Sequence, residues 1–270
     1  MEREARPAGS EPATTAQGNL AAQGPGTGPG TSGRASAVSA FSRPDREAGG
    51  ASEWVDLGQT VDMWLEDRSV MDLRGPAWDP RETAVVIVDM LLGFTRLGPL
   101  KSPRVDALTG PIARFLTALE GAGLRTAYRL EDAHTDHAGE FAVYPRHCLA
   151  GTEEAEPVPE LLEIPLFREA KRIAKNALSV QDRLDLEAIV FGLGIRKVIL
   201  VGDCTDLCIA ANALPLRFAA NAREHDLTVT VPMDLVDTFD APGHPADVMH
   251  RFALYHMGRN GIEVVRSGIL

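Results

Sequence analysis

The sequence predicts an α/β fold, in which a doubly wound and mostly parallel sheet of six strands carries helices on both faces, in a Rossmann-like arrangement of three layers. The first observation is alternation. Short apolar runs rich in β-branched residues alternate with longer segments of helical spacing. The second is size, because 270 residues with 44% hydrophobic and 24% charged residues can bury the core of one large α/β domain.

The elements can be assigned in chain order. Residues 52–80 form a lead-in that we expect to pack on the domain without joining its sheet. Five of the six predicted strands can be placed, at about residues 84–88, 125–130, 198–201, 227–231 and 262–265. The predicted helices lie at about residues 105–119, 184–193, 206–224 and 245–257. Ligands of parallel sheets bind outside the carboxyl ends of the strands, so we expect the functional residues directly after the strands.

Residues 1–50 differ in composition from the rest of the chain. They consist mainly of Ala, Gly, Ser, Pro and Thr, and Phe41 is their only aromatic residue. Such a segment cannot bury enough apolar surface to offset the entropy cost of folding. We therefore predict that it is disordered and that residues 51–270 form the folded domain.

Charge and cysteine content narrow the class of partner. The formal net charge of −11 argues against nucleic acid and anionic membranes, and no apolar stretch is long enough to span a membrane. Cys148, Cys204 and Cys208 are too few for a disulfide framework, which favours a reducing cytoplasm. We expect a cytoplasmic homo-oligomer that acts on a small molecule.

Residues 198–209 carry the clearest chemical signal. The apolar run 199–201 indicates a buried strand, and Thr205 and Asp206 are residue types that commonly begin a helix. Cys208 then falls in the first helical turn, where backbone N–H groups and the helix dipole favour a thiolate nucleophile. The alternative interpretation is an inert buried cysteine. The position of Cys208 in a strand-to-helix turn makes that alternative weaker.

Two charged residues are candidate partners for this cysteine. Asp89 ends the first predicted strand and could accept the thiol proton, with a turn-capping aspartate as an equal alternative. Lys175 could stabilise both the thiolate of Cys208 and the carboxylate of Asp89. However, Lys171 competes for that role, and the four cations of residues 167–175 are also typical of a solvated surface. Phe94 could form a pocket wall or belong to the core.

A second group of polar residues follows the second predicted strand. Asp132 and His134 lie two residues apart, so on an extended segment they point to the same side, and this pair of residue types suits zinc, manganese or iron. Glu140 and His147 follow closely and give four possible nitrogen or oxygen ligands. The alternative for two of the four is an ordinary polar loop residue.

Together these pieces resemble the isochorismatase-like cysteine hydrolases, and within them the nicotinamidases. Members of this family carry an Asp–Lys–Cys triad in the same chain order, which the resemblance places on Asp89, Lys175 and Cys208. The segment from Asp206 to Cys208 resembles the family's T-D-x-C turn. The dipeptide Lys175-Asn176 resembles its K-N pair and favours Lys175 as the triad lysine.

The resemblance covers about residues 83–265 and implies a metal site. Residues 144–152 resemble the metal loop of nicotinamidases, which read P-P-H-C-x-x-G-T there. Phe94 and Tyr144 match the positions of two aromatic walls of the substrate pocket. The expected ligands of a divalent metal, with zinc ahead of manganese or iron, are Asp132, His134, Glu140 and His147.

The resemblance also implies how the cysteine turn works. The backbone N–H groups of Cys204 and Cys208 are expected to form an oxyanion hole, and the bond between Asp203 and Cys204 is expected to be cis. Two departures stand out. Residues 89–94 read D-M-L-L-G-F where the family reads D-x-Q-N-D-F, and Asp203 occupies a position that is commonly apolar.

The expected activity is hydrolysis of a small amide, similar to that of nicotinamidase, through a thioester on Cys208. A related amidohydrolase of carbamoyl or ureido compounds is the first alternative, because the departures after Asp89 permit it. A catalytically inactive member that binds a metal or a small molecule is the second.

Overall fold

The structure, a computed structural model, describes residues 50–180 and 190–268. The segment predicted to be disordered, apart from Gly50, and most of the helix predicted for residues 184–193 therefore lie outside the described residues. Within them, seven parallel strands form one sheet. They are β1 (Thr83–Val88), β2 (Ala127–Asp132), β3 (Lys171–Lys175), β4 (Lys197–Asp203), β5 (Thr228–Pro232), β6 (Val236–Asp237) and β7 (Glu263–Val265).

The strand order is that of a doubly wound sheet. Its sequence across the sheet is β3-β2-β1-β4-β5-β7, and the short β6 pairs with the end of β4. The chain starts in the middle, moves to one edge and then crosses back towards the other, which leaves a switch point between β1 and β4. The predicted fold class is confirmed, with seven strands rather than six.

Within the described residues, four longer helices flank the sheet. They are α1 (Gly50–Glu66), α2 (Thr109–Gly121), α3 (Ala210–Ala222) and α4 (Ala246–Arg259). Shorter helical segments lie at Leu92–Thr95, Pro103–Asp106, Gly139–Ala142, Glu153–Ala155, Pro159–Leu162, Pro165–Arg168 and Thr205–Ile209. Among the described helices, none combines the length and the apolar character that crossing a bilayer requires.

Two apolar cores lie on opposite faces of the sheet. Val86 and Leu200 belong to the core that also contains residues of α3 and α4, whereas Val85 and Ile199 belong to the core that contains Phe115 of α2. Successive strand residues point to opposite faces, so a strand covered on both sides is apolar throughout. This explains why β1 and β4 are the clearest strands in the sequence.

The strand β3 does not follow from the local sequence pattern. Lys171 and Arg172 are exposed, while Ile173 and Lys175 are buried. The strand forms one edge of the sheet, where charged side chains are tolerated and discourage pairing with another chain. Its pairing with β2, rather than any apolar alternation, makes this segment a strand.

The lead-in, residues 52–80, packs on the domain as predicted. Its sequence pattern did not predict the helix α1, most of which it contains. Val61 and Leu65 of α1 are buried, and the ring of Trp64 meets that of Tyr255 edge-on at 5.4 Å. Among the described residues, the lead-in forms one isolated β-bridge, between Val70 and Arg266. The lead-in therefore covers the domain without adding a strand to the named sheet.

Gly202 allows β4 to pass close to β1 before the cysteine turn. Its φ of +115° lies in a region that L-residues rarely adopt, and a Cβ atom there would overlap the carbonyl oxygen of Val88. We expect Gly202→Ala to lower the free energy of unfolding by roughly 3–5 kcal/mol, measured by urea denaturation. The control is Gly121→Ala, where a Cβ has no atom within 4 Å. An equal effect of the two substitutions would contradict this account.

Candidate active site

The carboxyl ends of four neighbouring strands bring the candidate residues to one edge of the sheet. In the order β3, β2, β1 and β4, these ends carry Lys175, Asp132, Asp89 and Asp203. Asp132 and Lys175 are direct register partners in the β2–β3 pair. Residues distant in the sequence therefore become neighbours because parallel strands end on the same side.

Lys175 lies at the centre of the group. Its Nζ is 2.7 Å from Oδ2 of Asp89, 2.6 Å from Oδ1 of Asp132 and 3.5 Å from Sγ of Cys208. Its side chain is fully buried, whereas Lys171, its competitor in the sequence, is exposed. Burial acts to lower the pKa of Lys175, but Asp132 and Asp89 outweigh it and hold the pKa well above the ordinary value.

Asp89 leaves the end of β1 in a left-handed conformation with a φ of 52°. Its Oδ1 accepts the backbone N–H of Asp132 at 2.9 Å, while its Oδ2 faces Lys175. Burial and the nearby Asp132 raise the pKa of Asp89 to about 7, against the opposing effect of Lys175. A carboxyl group with such a pKa can both accept and return a proton near neutral pH.

Cys208 lies in the helical turn Thr205–Ile209, which precedes α3. The bond before Cys204 is cis, as predicted. Burial raises the pKa of the Cys208 thiol, and Lys175 opposes that shift. The turn thus presents a buried thiol, and Lys175 is its cationic neighbour among the described residues.

The helix start is not capped in the way that the residue types suggest. The residue before the turn, Cys204, is its N-cap, and its side chain makes no capping hydrogen bond. Instead, Oδ2 of Asp206 lies 2.8 Å from Nε2 of His244, and Oγ1 of Thr205 lies 2.9 Å from Nδ1 of His250. Tertiary partners from a distant part of the chain have replaced local capping.

The four predicted metal ligands converge beside the lysine. One nitrogen or oxygen atom from each residue lies within 4.8 Å of the other three, in the group Asp132, His134, Glu140 and His147. His137, which the sequence analysis left outside the set, is exposed. Oε2 of Glu140 is buried, lies 3.4 Å from Nε2 of His134 and has no hydrogen-bond partner among the described residues, which suits an atom that binds a metal.

The outer contacts of the two histidines use Nδ1 on both rings, so both Nε2 atoms face the cluster. Nδ1 of His147 is 2.8 Å from the carbonyl oxygen of Pro145, and Nδ1 of His134 is 3.4 Å from Oδ1 of Asn176. Their Nε2 atoms face each other at 3.2 Å. Metal-binding histidines are commonly oriented in this way by a bond to the outer nitrogen, so the residues present fit a divalent metal.

A pocket opens above the cysteine and the metal cluster. Its walls include Phe94, Tyr144, Leu207 and Phe239, and the empty space between them, open mouth included, is about 450 Å³. Phe94 also packs edge-on against His147, with 5.4 Å between the ring centres. Both predicted aromatic residues thus line the pocket that contains Cys208.

Phe239 is a pocket residue that the sequence analysis missed. It follows the two-residue strand β6, so neither periodicity nor a motif marks it. Its ring stacks on that of His244 at 4.0 Å with an angle of 9° between the planes, and His244 contacts Asp206 of the cysteine turn. Only the folded chain shows that this loop supports both the pocket and the turn.

Residues 83–265 match the family model of the isochorismatase domain. The chain belongs to the isochorismatase family. The expected resemblance is confirmed by this match and by relatives that include nicotinamidases. The matched range begins at β1 and ends with β7, so it contains every strand that carries a candidate residue.

Three relatives show which proteins this member of the isochorismatase family is similar to. Nicotinamidase 1 of Arabidopsis thaliana is 29% identical over 77% of this chain and 96% of its own length. The pyrazinamidase of Pyrococcus horikoshii, solved in complex with zinc, is 27% identical over 68% of this chain and 99% of its own, with a TM-score of 0.55. The N-carbamoylsarcosine amidase of Thermoplasma acidophilum, 23% identical over 70% of this chain and 98% of its own, shares the fold with a TM-score of 0.55.

Proposed function

We propose that this protein is a cysteine hydrolase of small amides, in which Asp89, Lys175 and Cys208 form the catalytic triad. The observation that carries the proposal is the position of Lys175, whose ammonium group lies within 3.5 Å of the thiol and 2.7 Å of Asp89. A buried lysine between a thiol and a carboxylate stabilises the thiolate that the reaction needs. Relatives named as nicotinamidase and pyrazinamidase support an amide as the substrate.

The reaction follows from the protonation states of these groups. Asp89 takes the thiol proton, and the sulfur of Cys208 attacks the carbonyl carbon of the amide. The backbone N–H groups of Cys204 and Cys208 hold the oxyanion, and each such donor typically contributes about 10²–10³ in rate. Asp89 returns the proton to the departing ammonia, and water then cleaves the thioester to release the acid and restore the thiol.

Asp132, His134, Glu140 and His147 would hold a divalent metal, with zinc ahead of manganese or iron because two imidazoles and two carboxylates are donors that suit zinc. The zinc-bound pyrazinamidase supports the same choice. A bound metal would supply a positive centre that fixes a polar atom of the substrate. The protein residues orient the amide, while Phe94, Tyr144 and Phe239 exclude water from its apolar part.

The metal assignment predicts which histidines matter. We expect His134→Ala and His147→Ala to lower the metal content of the purified protein at least about tenfold, because each removes one of few ligands. His137→Ala, the exposed control, should leave it unchanged. Elemental analysis by mass spectrometry measures the content. Loss of the metal in His137→Ala with its retention in His147→Ala would refute the assignment.

The activity itself is tested by ammonia release. Purified protein supplied with zinc or manganese should release ammonia from at least one amide in a panel of nicotinamide, pyrazinamide and carbamoyl compounds. Nicotinamide is the first substrate to test. No release from any member by metal-loaded protein would contradict the proposal.

The homo-oligomeric state stays a prediction, which light scattering after size-exclusion chromatography can test. The cytoplasmic location also stays a prediction.

A further inference from the structure

His244 is a polar residue near the pocket that neither the triad nor the metal cluster uses. It lies in residues 238–245, the loop that joins β6 to α4, and its side chain is 18% exposed. Its Nε2 is 2.8 Å from Oδ2 of Asp206, and its Nδ1 is 2.9 Å from the carbonyl oxygen of Phe239. The rings of His244 and Phe239 also stack at 4.0 Å. One side chain therefore joins a wall of the pocket to the cysteine turn, Thr205–Ile209.

The contact matters for Asp206 because this carboxyl group is largely buried. Its side chain is 7% exposed, and His244 is the hydrogen-bond partner that the structure describes for Oδ2. Its Oδ1 is buried and has no hydrogen-bond partner within the described part of the chain. A buried carboxylate that loses its donor is left without compensation for its lost hydration. Without His244, the turn would therefore have to move to bring Asp206 to water.

A movement of Asp206 would reach the groups that stabilise the reaction. This residue lies between Cys204 and Cys208, whose backbone N–H groups are the proposed oxyanion donors. The carbonyl oxygen of Cys204 accepts the N–H groups of Leu207 at 3.1 Å and Ile209 at 3.0 Å, so the turn is one hydrogen-bonded unit. An oxyanion donor must lie about 2.7–3.1 Å from the developing charge, so a small displacement of the turn weakens it.

The wall of the pocket depends on the same histidine. The ring of Phe239 lines the pocket, and the ring of His244 lies against it with 9° between the planes. The backbones of Ala241 and His244 exchange two hydrogen bonds, and Oδ1 of Asp240 accepts the N–H of Ala246 at 3.0 Å. These bonds shape the loop and fix it to the start of α4. Loss of the His244 ring would thus remove the support of Phe239 while the loop keeps its backbone bonds.

We propose that His244 is a positioning residue with two separable effects. Through Asp206 it holds the oxyanion donors in place, and through Phe239 it holds the wall against which a ring of the substrate packs. This inference rests on the proposed function, because it concerns the same site. Loss of the hydrogen bond should weaken every ligand that places an oxyanion in the turn. Loss of the ring should weaken only those ligands that carry a ring themselves.

Two aldehydes measure these effects separately and without turnover. The thiol of Cys208 adds reversibly to an aldehyde. Its sulfur bonds to the carbonyl carbon, the C=O π bond opens, and the thiol proton passes to the oxygen, which the turn holds as it would hold the oxyanion. The affinity of propanal depends on the turn alone, and that of benzaldehyde depends on the aromatic wall as well. The aldehyde concentration that halves the rate of Cys208 alkylation gives each dissociation constant, and Cys208→Ser gives the background rate.

Two substitutions separate the hydrogen bond of His244 from its ring. His244→Phe keeps a ring that can stack on Phe239 but offers no donor to Asp206, so it should weaken the binding of both aldehydes at least about fivefold. His244→Gln keeps an N–H that can reach Asp206 but has no ring. It should weaken the binding of benzaldehyde about threefold and change that of propanal by less than about twofold. His256→Ala, at an exposed histidine of α4, is the control and should change neither affinity.

The ratio of the two affinities distinguishes positioning from a merely structural role. A structural role would weaken both aldehydes together in both variants and leave the ratio unchanged, which would overturn the inference. Unchanged affinities in both variants would also overturn it. Phe239→Leu should reproduce the benzaldehyde loss of His244→Gln, and it tests the wall even where a variant of His244 does not fold.

Failure of this inference is distinguishable from failure of the proposed function, because ammonia release tests the hydrolase separately. The expected affinities without ammonia release from any amide would support the role of His244 and overturn the hydrolase. Ammonia release together with affinities that neither substitution changes would do the reverse. No protection of Cys208 by either aldehyde in the unsubstituted protein would overturn the role of His244, since that role requires an oxyanion held by the turn.

Discussion

Cys208→Ser is expected to reduce amide turnover to the background rate. The variant keeps the shape of the side chain, but Asp89 cannot readily remove the proton of a hydroxyl group, and the alkoxide is a far less accessible nucleophile than the thiolate. The measurement is ammonia release under the conditions in which the unsubstituted protein is active. Because the serine fills the same buried position, the melting temperature should change little.

The other two cysteines provide matched controls, since both are buried and neither forms a disulfide. Cys204→Ala should keep most of the activity, because only the backbone N–H of this residue has a proposed role. Cys148→Ala should also stay active, because Cys148 is not among the described residues that line the pocket and its thiol donates to the carbonyl oxygen of Glu154 at 3.5 Å. Alkylation of the protein by a thiol reagent should be slower for Cys208→Ser than for the unsubstituted protein. For Cys204→Ala it should not be slower. An inactive Cys204→Ala beside an active Cys208→Ser would move the nucleophile to Cys204.

Lys175→Ala should lose nearly as much activity as Cys208→Ser and also destabilise the fold. The substitution leaves Asp89 and Asp132 buried without the cation that both contact, and breaking a buried ion pair in this way costs about 3–5 kcal/mol. The pKa of Asp89 should rise further, because the lysine acts to lower it. Urea denaturation and ammonia release measure the two effects.

Lys171→Ala is the matched control, because this lysine lies on the same strand and is exposed. It should change the free energy of unfolding by less than about 0.5 kcal/mol and leave the activity intact. The double variant of Lys175→Ala with Cys208→Ser should be little worse than either single variant, because groups that act as one proton-transfer unit are not additive. Full activity in Lys175→Ala would remove the lysine from the proposed triad.

The strands show where the local sequence pattern is sufficient to predict the structure. β1 and β4 are covered on both faces, so their apolar sequences identify them without knowledge of their neighbours. The edge strand β3 and the short β6 carry no such pattern, because their pairing with β2 and β4 determines them. The lead-in helix α1 likewise buries only part of one side, and its apolar residues alone do not distinguish it from a loop.

The sequence by itself determined the alternating fold, the family and the residue types of the site, since strand periodicity and motif spacing are local properties of the chain. Only the tertiary structure distinguished a buried Lys175 from an exposed Lys171 by their burial and contacts, placed Phe239 in the pocket and showed that Oδ1 of Asp203 has no partner among the described residues. These features depend on which strand ends and loops meet at one edge of the sheet. The physical reason is that burial and hydrogen bonding are set by neighbours in space, which the order of residues along one strand does not specify.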